Sequence, residues 1–480
     1  MSGKKHGKKI FLIAAATVIL TAVVIVIYFA FFSANRPDPL RQGDLERLSE
    51  EEYQCVFLSM YPSDPGLEDE FAYYRGLITV RASYYFKDLK DITSFLKEDF
   101  WADHKITHLF LGLDPDKIAS GTNTMEADLQ AFINAYPDIQ IEILLPYYSL
   151  ESWCKQTTEA IDDSLEHYRS LSVSLLSYTN VKIFFLGGEE WLIANPDNYT
   201  ASNQCVSDVA SLILRYAYRD DTYLLTRENI EARLTALNNL ILQAKEETPS
   251  HSGYSDLTVV FLGDSIIGGY TGSLSVPGVV GALSGAAVYN CGEGGTSAAS
   301  DAESYLSFPL VAEALASGDL TNIPANSQAF QGLSDFWAYD HTKLLIFINY
   351  GLNDFFRGLP VASADPYDPG TYTGALRLGI TALKAAYPDA GIVVMTPNYI
   401  TYYGEGTKKQ SEDGGCLSDY VNAAVKTAEE MNVYCLDNYT GLAINADNQA
   451  YFLVDGCHLN EAGRYLLGRE IIANLDLWGP

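Results

Sequence analysis

Three residues related in chemistry, Ser265 and the closely spaced Asp455 and His458, could together activate a hydroxyl group. A serine hydroxyl is a weak nucleophile at neutral pH. It needs a base to take its proton and a partner to orient that base. Histidine titrates in the right range. Beyond residue 256 the sequence offers two histidines, His341 and His458. His341 precedes the apolar run Leu344 to Ile348, so it falls at the start of a strand. That is the wrong end of a parallel sheet for ligand chemistry. His458 follows the strand-like run Ala450 to Val454 and is expected to open a helix through Arg469. Asp455, three residues earlier, can bend to the same side of a turn and accept from the imidazole Nδ1–H. Asp437 and Asp419 are the fallback carboxylates. Each residue also has a plain structural role open to it: Ser265 and Asp455 are both good helix N-caps.

Acyl transfer at such a serine also needs donors aimed at the developing oxyanion. Losing one costs about a hundred- to a thousand-fold in rate. The backbone N–H of Ser265 is one candidate. A second lies in Asn290-Cys291-Gly292-Glu293-Gly294-Gly295, where glycine lets the backbone approach a substrate. The third is the side-chain amide of Asn353 in Gly351-Leu352-Asn353-Asp354, which can donate two hydrogen bonds or simply serve a turn. Gly351 and Asp354 would shape that turn, and Asp264 would hold the loop beside Ser265. Phe355, Phe356, Tyr399, Tyr402 and Tyr403 fall just past strand ends and could wall a substrate cleft.

The elements that must position these residues are strands. Five of the six residues from Leu257 to Leu262 are apolar, and Gly263-Asp264-Ser265 follows, which reads as a buried strand turning sharply at its end. Ala286 to Tyr289 leads into the glycine cluster, and Leu344 to Ile348 leads into Gly351 to Asp354. Serine first, glycine second, G-x-N-D third and D-x-x-H last is an ordered pattern. In this pattern residues 255–480 resemble the SGNH (GDSL-type) hydrolases, with G-D-S-I in place of G-D-S-L. The resemblance implies a three-layer α/β/α sandwich around a mostly parallel five-stranded sheet. It implies a Ser265–His458–Asp455 triad with oxyanion donors from Ser265, Gly295 and Asn353. Gly295 is preferred to Gly292 because the family's glycine ends an N-x-G-x-x-G run. It implies hydrolysis of an ester, with carbohydrate deacetylases among the family's activities, and neither a metal nor an organic cofactor.

Residues 51–247 also alternate strand and helix patterns, as parallel βαβ units do. Strands are expected at Val56 to Leu58, His108 to Leu113, Ile139 to Leu145 and Val181 to Leu186. Helices are expected over 86–100, 125–135 and 225–247. An internal repeat runs through this half. Ala135 to Pro146 aligns without a gap on Ala386 to Pro397, and Val56-Phe57-Leu58 matches Val260-Phe261-Leu262. Two readings of 51–247 stay open: a degenerate SGNH-like unit that lacks the chemistry, with Tyr61 where Ser265 stands, or an α/β domain whose likeness is the chance similarity of any βαβ pattern. Glu189 and Glu190 follow a strand end and could line a cleft. A polar linker is expected over 248–256, leaving the hydrolase domain at 257–480.

The first 32 residues have a different character. Lys4, Lys5, Lys8 and Lys9 precede an uncharged apolar run from Ile10 to Phe32, long enough to span a bilayer. The charge asymmetry predicts a cytoplasmic tail at 1–9, a transmembrane anchor at 10–32, a stalk at 33–50 and everything later outside the cell. A cleaved signal peptide is the rival reading, against which stand the length of the run and the poor cleavage site Phe32-Ser33-Ala34. The net charge of −30 argues against nucleic acid as a partner, since phosphate binding needs clustered cations. There are seven cysteines and no C-x-x-C pair; Cys291 and Cys457 lie in the motifs and could approach each other. The combined expectation is a membrane-anchored extracytoplasmic esterase acting on an acetyl or short acyl ester of a glycan. The alternatives are an O-acyltransferase using the same residues and a non-catalytic surface binding protein.

Overall fold

The computed structural model describes residues 55–59, 81–85, 94–97, 101, 106–120, 125–200, 205–206, 209–210, 212–213, 223–246, 253–401 and 406–479. The tail, the apolar run from Ile10 to Phe32 and the stalk lie outside these residues. So do Tyr61, Tyr402, Tyr403 and most of the helix expected over 86–100. Among the described residues no helix is long and apolar enough to cross a membrane.

The chain forms two compact units that are not consecutive in sequence. One comprises Met1–Pro146, Asp162–Phe185 and Ala210–Glu231; the other comprises Tyr147–Ile161, Leu186–Val209 and Ala232–Pro480. Stretches that precede the expected linker at 248–256 therefore belong with the second unit.

The first unit holds β1 (Cys55–Ser59), β2 (Arg81–Tyr85), β3 (His108–Gly112), β4 (Gln140–Leu144) and β5 (Val181–Phe184) in the order β2-β1-β3-β4-β5. Every pairing is parallel. Helix α1 (Met125–Ala135) leads into β4. The chain then passes from β5 through residues 186–229 to helix α2 (Ile230–Glu246).

The second unit holds β6 (Leu257–Gly263), β7 (Ala287–Gly292), β8 (Lys343–Asn349), β9 (Gly391–Met395) and β10 (Tyr434–Leu436) in the order β10-β9-β8-β6-β7. Again every pairing is parallel. β6 is buried along its whole length, as a strand covered on both faces must be, which explains why all its residues but Thr258 and Gly263 are large and apolar. Between the strands lie α3 (Val276–Ser284), α4 (Phe308–Ser317), α5 (Tyr372–Ala386) and α6 (Leu417–Glu430). Helix α7 (Glu461–Ala473) closes the fold. α3 packs on α7, while α4 packs on α5 and α5 on α6. Right-handed crossovers put these two groups on opposite faces of the sheet. The strand order reverses at β6, so its carboxyl end opens a crevice between neighbouring connections.

Several local expectations are corrected. Residues 450–454 are not a strand: Gln449–Phe452 is a helical turn, and Leu453 forms an isolated antiparallel bridge with Leu459. The reason lies just upstream. Asn448 Oδ1 accepts from the Asn445 N–H at 2.8 Å and the Gln449 N–H reaches the Asn445 carbonyl at 2.9 Å, so side-chain turn chemistry starts a helix where composition favours a strand. His458 does not open the last helix. Asn460 caps α7, accepting from the Gly463 N–H at 3.0 Å. Cys291 and Cys457 are both buried and both free.

Candidate active site

Ser265 stands at the first residue of a short helical turn, Ser265–Gly268, at the carboxyl end of β6. Asp264 caps that turn through Oδ1, which accepts from the Ile266 N–H at 2.9 Å. Its own N–H reaches the Asn349 carbonyl at the end of β8, at 3.1 Å. Two glycines make the tight turn possible. A Cβ on Gly263 would stand 2.8 Å from the Asn349 carbonyl oxygen, and one on Gly268 would stand 2.3 Å from the Gly292 carbonyl carbon. The turn carrying Ser265 is thus wedged between the ends of β8 and β7.

His458 and Asp455 lie on the loop between Leu453 and Leu459. The Val454 N–H reaches the His458 carbonyl at 2.9 Å, closing the loop into a small hairpin. Gly456 at its tip has φ +80°, a backbone that a side chain strains, and a Cβ there would meet Thr401 Oγ1 at 2.3 Å. Asp455 Oδ1 accepts from the backbone N–H groups of Cys457 (3.0 Å) and His458 (2.8 Å). Asp455 Oδ2 accepts from His458 Nδ1 at 2.7 Å. His458 Nε2 lies 2.9 Å from Ser265 Oγ. The three side chains form one hydrogen-bonded line, satisfied when Nδ1 carries the imidazole proton and Nε2 receives the serine hydroxyl. Burial works to raise the Asp455 pKa, but the His458 and Cys457 N–H groups and the imidazole outweigh it. The carboxyl is held below its ordinary value. His458 and Asp455 side chains remain 37% and 41% exposed, so the line opens to solvent where a substrate can enter.

The glycine cluster sits beside the serine. A Cβ on Gly294 would be 3.9 Å from Ser265 Cβ, and Gly295 has φ +75° with nothing near the position its Cβ would take. The Asn353 amide donates to the Thr296 carbonyl at 2.9 Å, leaving its second hydrogen for another acceptor. Two residues hold this loop in a way that spacing alone did not reveal. Asp354, fully buried, accepts from the Ala298 and Ala299 N–H groups, each at 2.9 Å. Arg357 donates to the Gly295 carbonyl and at 3.1 Å to Ser297 Oγ, and pairs with Asp301. Arg357 ends the turn Leu352–Arg357 that carries Asn353, and its partners Gly295, Ser297 and Asp301 are distant in sequence, which is why no local pattern announced it. Glu293 accepts from the Tyr305 hydroxyl at 2.5 Å and from the Gln328 N–H at 2.6 Å, which anchors the start of the cluster.

Burial raises the pKa of Asp264 to about 7, opposed by the Ile266 N–H and reinforced by Asp354. Burial likewise raises Asp354 to about 6, opposed by its N–H partners and Arg357.

The other sequence candidates lie elsewhere. His341 bonds Thr258 Oγ1 at 3.1 Å and stacks on Phe336, at the start of β6 and away from Ser265. Asp437 caps the turn Asn438–Gly441, and Asp419 bonds the Cys416 N–H at 2.8 Å. Phe355 and Tyr399 are buried. Glu189 and Glu190 belong to the second unit and contact Tyr451 and Arg469. Among the described residues no group of three or more His, Cys, Asp or Glu side chains could hold a metal ion.

Residues 261–466 match the model of the GDSL-like Lipase/Acylhydrolase family, and that stretch is a GDSL-like domain. No curated protein matches the chain. Among solved structures, a protein from Lactobacillus plantarum is 21% identical, covering 46% of this chain and 96% of its own, with a TM-score of 0.35. A carbohydrate acetylesterase family member from Sinorhizobium meliloti is 17% identical over 46% of this chain and 98% of its own, with a TM-score of 0.30. A member of the lipolytic protein G-D-S-L family from Veillonella parvula DSM 2008 is 19% identical over 45% and 97%, also at 0.30.

Proposed function

We propose that the GDSL-like domain is a serine esterase with Ser265 as nucleophile, His458 as general base and acid, and Asp455 as the orienting carboxylate. The observation that carries this reading is the unbroken line from Ser265 Oγ through His458 to Asp455, at 2.9 and 2.7 Å. Ser265 Oγ attacks the ester carbonyl carbon as its proton passes to Nε2. The tetrahedral oxyanion is met by the N–H of Ser265, the N–H of Gly295 and the free amide hydrogen of Asn353. Collapse expels the alcohol, which takes the proton from Nε2 and leaves an acyl-serine. Water, deprotonated by His458, then attacks the acyl carbon and returns the free serine and a carboxylic acid. Asp455 stabilises the imidazolium formed in each half.

The proposed substrate is an acetyl or short acyl ester on a carbohydrate or similar surface molecule. The support is the setting written in the sequence, in which lysines 4, 5, 8 and 9 precede the apolar run from Ile10 to Phe32. Such a segment would anchor the chain in a membrane with the esterase facing outward.

The test is hydrolysis of p-nitrophenyl acetate, butyrate and octanoate by the full chain beside Ser265→Ala. Turnover that favours acetate and vanishes in the variant is expected. Preference for octanoate would overturn the short-acyl assignment. Transfer of the acyl group to a sugar hydroxyl in preference to water would make the enzyme a transferase. Ser265-independent turnover would overturn the nucleophile.

A further inference from the structure

The residues 186–209, which follow the last strand of the first sheet, are part of the second unit. Glu189 in this stretch is only 2% exposed. A buried carboxylate is costly unless every oxygen finds a partner. Here both do. Oε1 accepts from Arg233 on α2, and Oε2 accepts from the Tyr451 hydroxyl at 2.7 Å. Tyr451 lies 262 residues away in sequence, on the turn Gln449–Phe452.

That turn is the base of the hairpin bearing Asp455 and His458. Asn460 Nδ2 donates to the Tyr451 carbonyl at 2.8 Å, and the Asn460 N–H reaches the Phe452 carbonyl at 2.8 Å. Leu453 bridges Leu459 immediately above. Glu190, the next residue, pairs with Arg469 on α7, on the other side of the hairpin. Asn195, also buried, donates to the Ser273 carbonyl at 3.0 Å, on the loop that leaves the Ser265 turn. Beside it, Arg464 bonds the carbonyls of Leu274 and Leu459, joining the serine side to the histidine side. One short stretch, Glu189 to Asn195, thus touches both segments flanking the hairpin and the loop after the nucleophile.

We infer that Glu189 is a positioning residue for the reaction proposed above: by holding Tyr451 it fixes the Asp455–His458 hairpin against Ser265. The first half of the chain then supplies a working part of the hydrolytic centre. The Ser265–His458 contact is one hydrogen bond between two loops that come from distant parts of the chain. A misplacement on the order of 1 Å in such a geometry can cost about a hundredfold in rate. A phenol hydrogen bond to a carboxylate is charge-assisted and directional, which suits it to fix the base of the hairpin.

The test uses the full chain and two readouts: the second-order rate at which a fluorophosphonate phosphonylates Ser265, and kcat and KM on p-nitrophenyl acetate per labelled site. Tyr451→Phe removes one hydroxyl and leaves Glu189 Oε2 without that donor, at a cost of about 1–3 kcal/mol in stability, so both readouts are taken per labelled, folded chain. That variant is expected to lower the phosphonylation rate and kcat about tenfold while KM moves less than twofold. Glu189→Ala should lower both at least as far, and the double variant should be no worse than Glu189→Ala, because the two residues act through one contact. Glu189→Gln, which keeps hydrogen-bonding atoms toward Arg233 and Tyr451, should recover most of the rate. A Tyr451→Phe chain within twofold of wild type in both readouts, or effects that multiply in the double variant, would overturn the inference. If Glu189→Ala does not fold, Tyr451→Phe decides alone. A wild type that labels at Ser265 without hydrolysing esters would sink the esterase reading while the labelling rates still judge Glu189. A wild-type Ser265 that does not label would sink both.

Discussion

Asp264 and Asp354 are carboxylates placed where charge is disfavoured, and they shape the site without touching the line of Ser265, His458 and Asp455. Asp264 caps the nucleophile turn and Asp354 ties down residues 298 and 299. Burial raises the first to about 7 and the second to about 6. A pKa raised in the folded state means that protons favour folding. The stability these groups contribute is fully present below about pH 4, near the unfolded value. It is lost as pH rises through about 6 and then about 7. Melting temperature is therefore expected to fall between pH 4 and pH 8. Asp264→Asn keeps an acceptor for the Ile266 N–H and removes the titration, so its melting temperature should depend less on pH and exceed wild type at pH 8. Circular-dichroism melts at pH 5 and pH 8 measure this, and equal slopes in the two proteins would refute it. At this scale the sequence was informative where chemistry dictates residue type. The serine, the D-x-x-H pair and the glycines announce themselves because few residues can do their work. Arg357 and Glu189 were harder to see: a surface arginine and a solvated glutamate are the ordinary reading of such residues, and only the fold brings them to their partners.

Strands and their exits carry the next level of information. β6 was legible because a strand covered on both faces must be apolar throughout, and β8 likewise. The segment 449–452 was not, because its aromatic and apolar residues favour a strand while the preceding asparagines nucleate a turn of helix. There, a local side-chain hydrogen bond outweighed composition. The helical turn at Ser265 depends on a different feature, the contact of two glycines. Gly268 lies against Gly292 at the end of β7, with no room for a methyl group: its Cβ would be 2.3 Å from backbone carbon. Gly268→Ala must therefore push the nucleophile turn off β7. A cost of about 1–3 kcal/mol in stability is expected, as for overpacking elsewhere. Activity per folded molecule should fall as well, since the displacement moves Ser265 itself. Denaturant unfolding and active-site labelling of the soluble variant check the two halves. A variant as stable and as active as wild type would show that the turn tolerates the shift.

At the scale of the whole molecule, the two five-stranded sheets share one strand order. The first strand of each lies between the second and the third, followed by the fourth and fifth. The repeated sequence falls on equivalent elements: Val56-Phe57-Leu58 on β1 with Val260-Phe261-Leu262 on β6, and the Ala135 to Pro146 stretch on β4 with Ala386 to Pro397 on β9. Phe57 pairs in register with Phe110, and Phe261 with Phe347, with ring centroids 5.3 and 5.0 Å apart. A shared topology does not carry shared chemistry, because function lives in sites placed on folds. The first unit does hold a serine, an aspartate and a histidine in contact, but in the wrong sequence. Asp116 lies between the other two: its Oδ2 accepts from Ser164 at 2.8 Å and its Oδ1 bonds His167 Nδ1 at 2.9 Å. A hydroxyl that donates to a carboxylate, with the imidazole beyond it, is not deprotonated by that imidazole; Ser265 meets Nε2 directly, as the proposed mechanism requires. Of these two serines among the described residues, only Ser265 should therefore be activated. A fluorophosphonate probe is expected to add one label per chain, mapped to Ser265 by peptide mass spectrometry, and Ser265→Ala should leave none. A second labelled serine near residue 164 would mean that the first unit has kept a nucleophile of its own, and the view of it as a copy without chemistry would have to be given up.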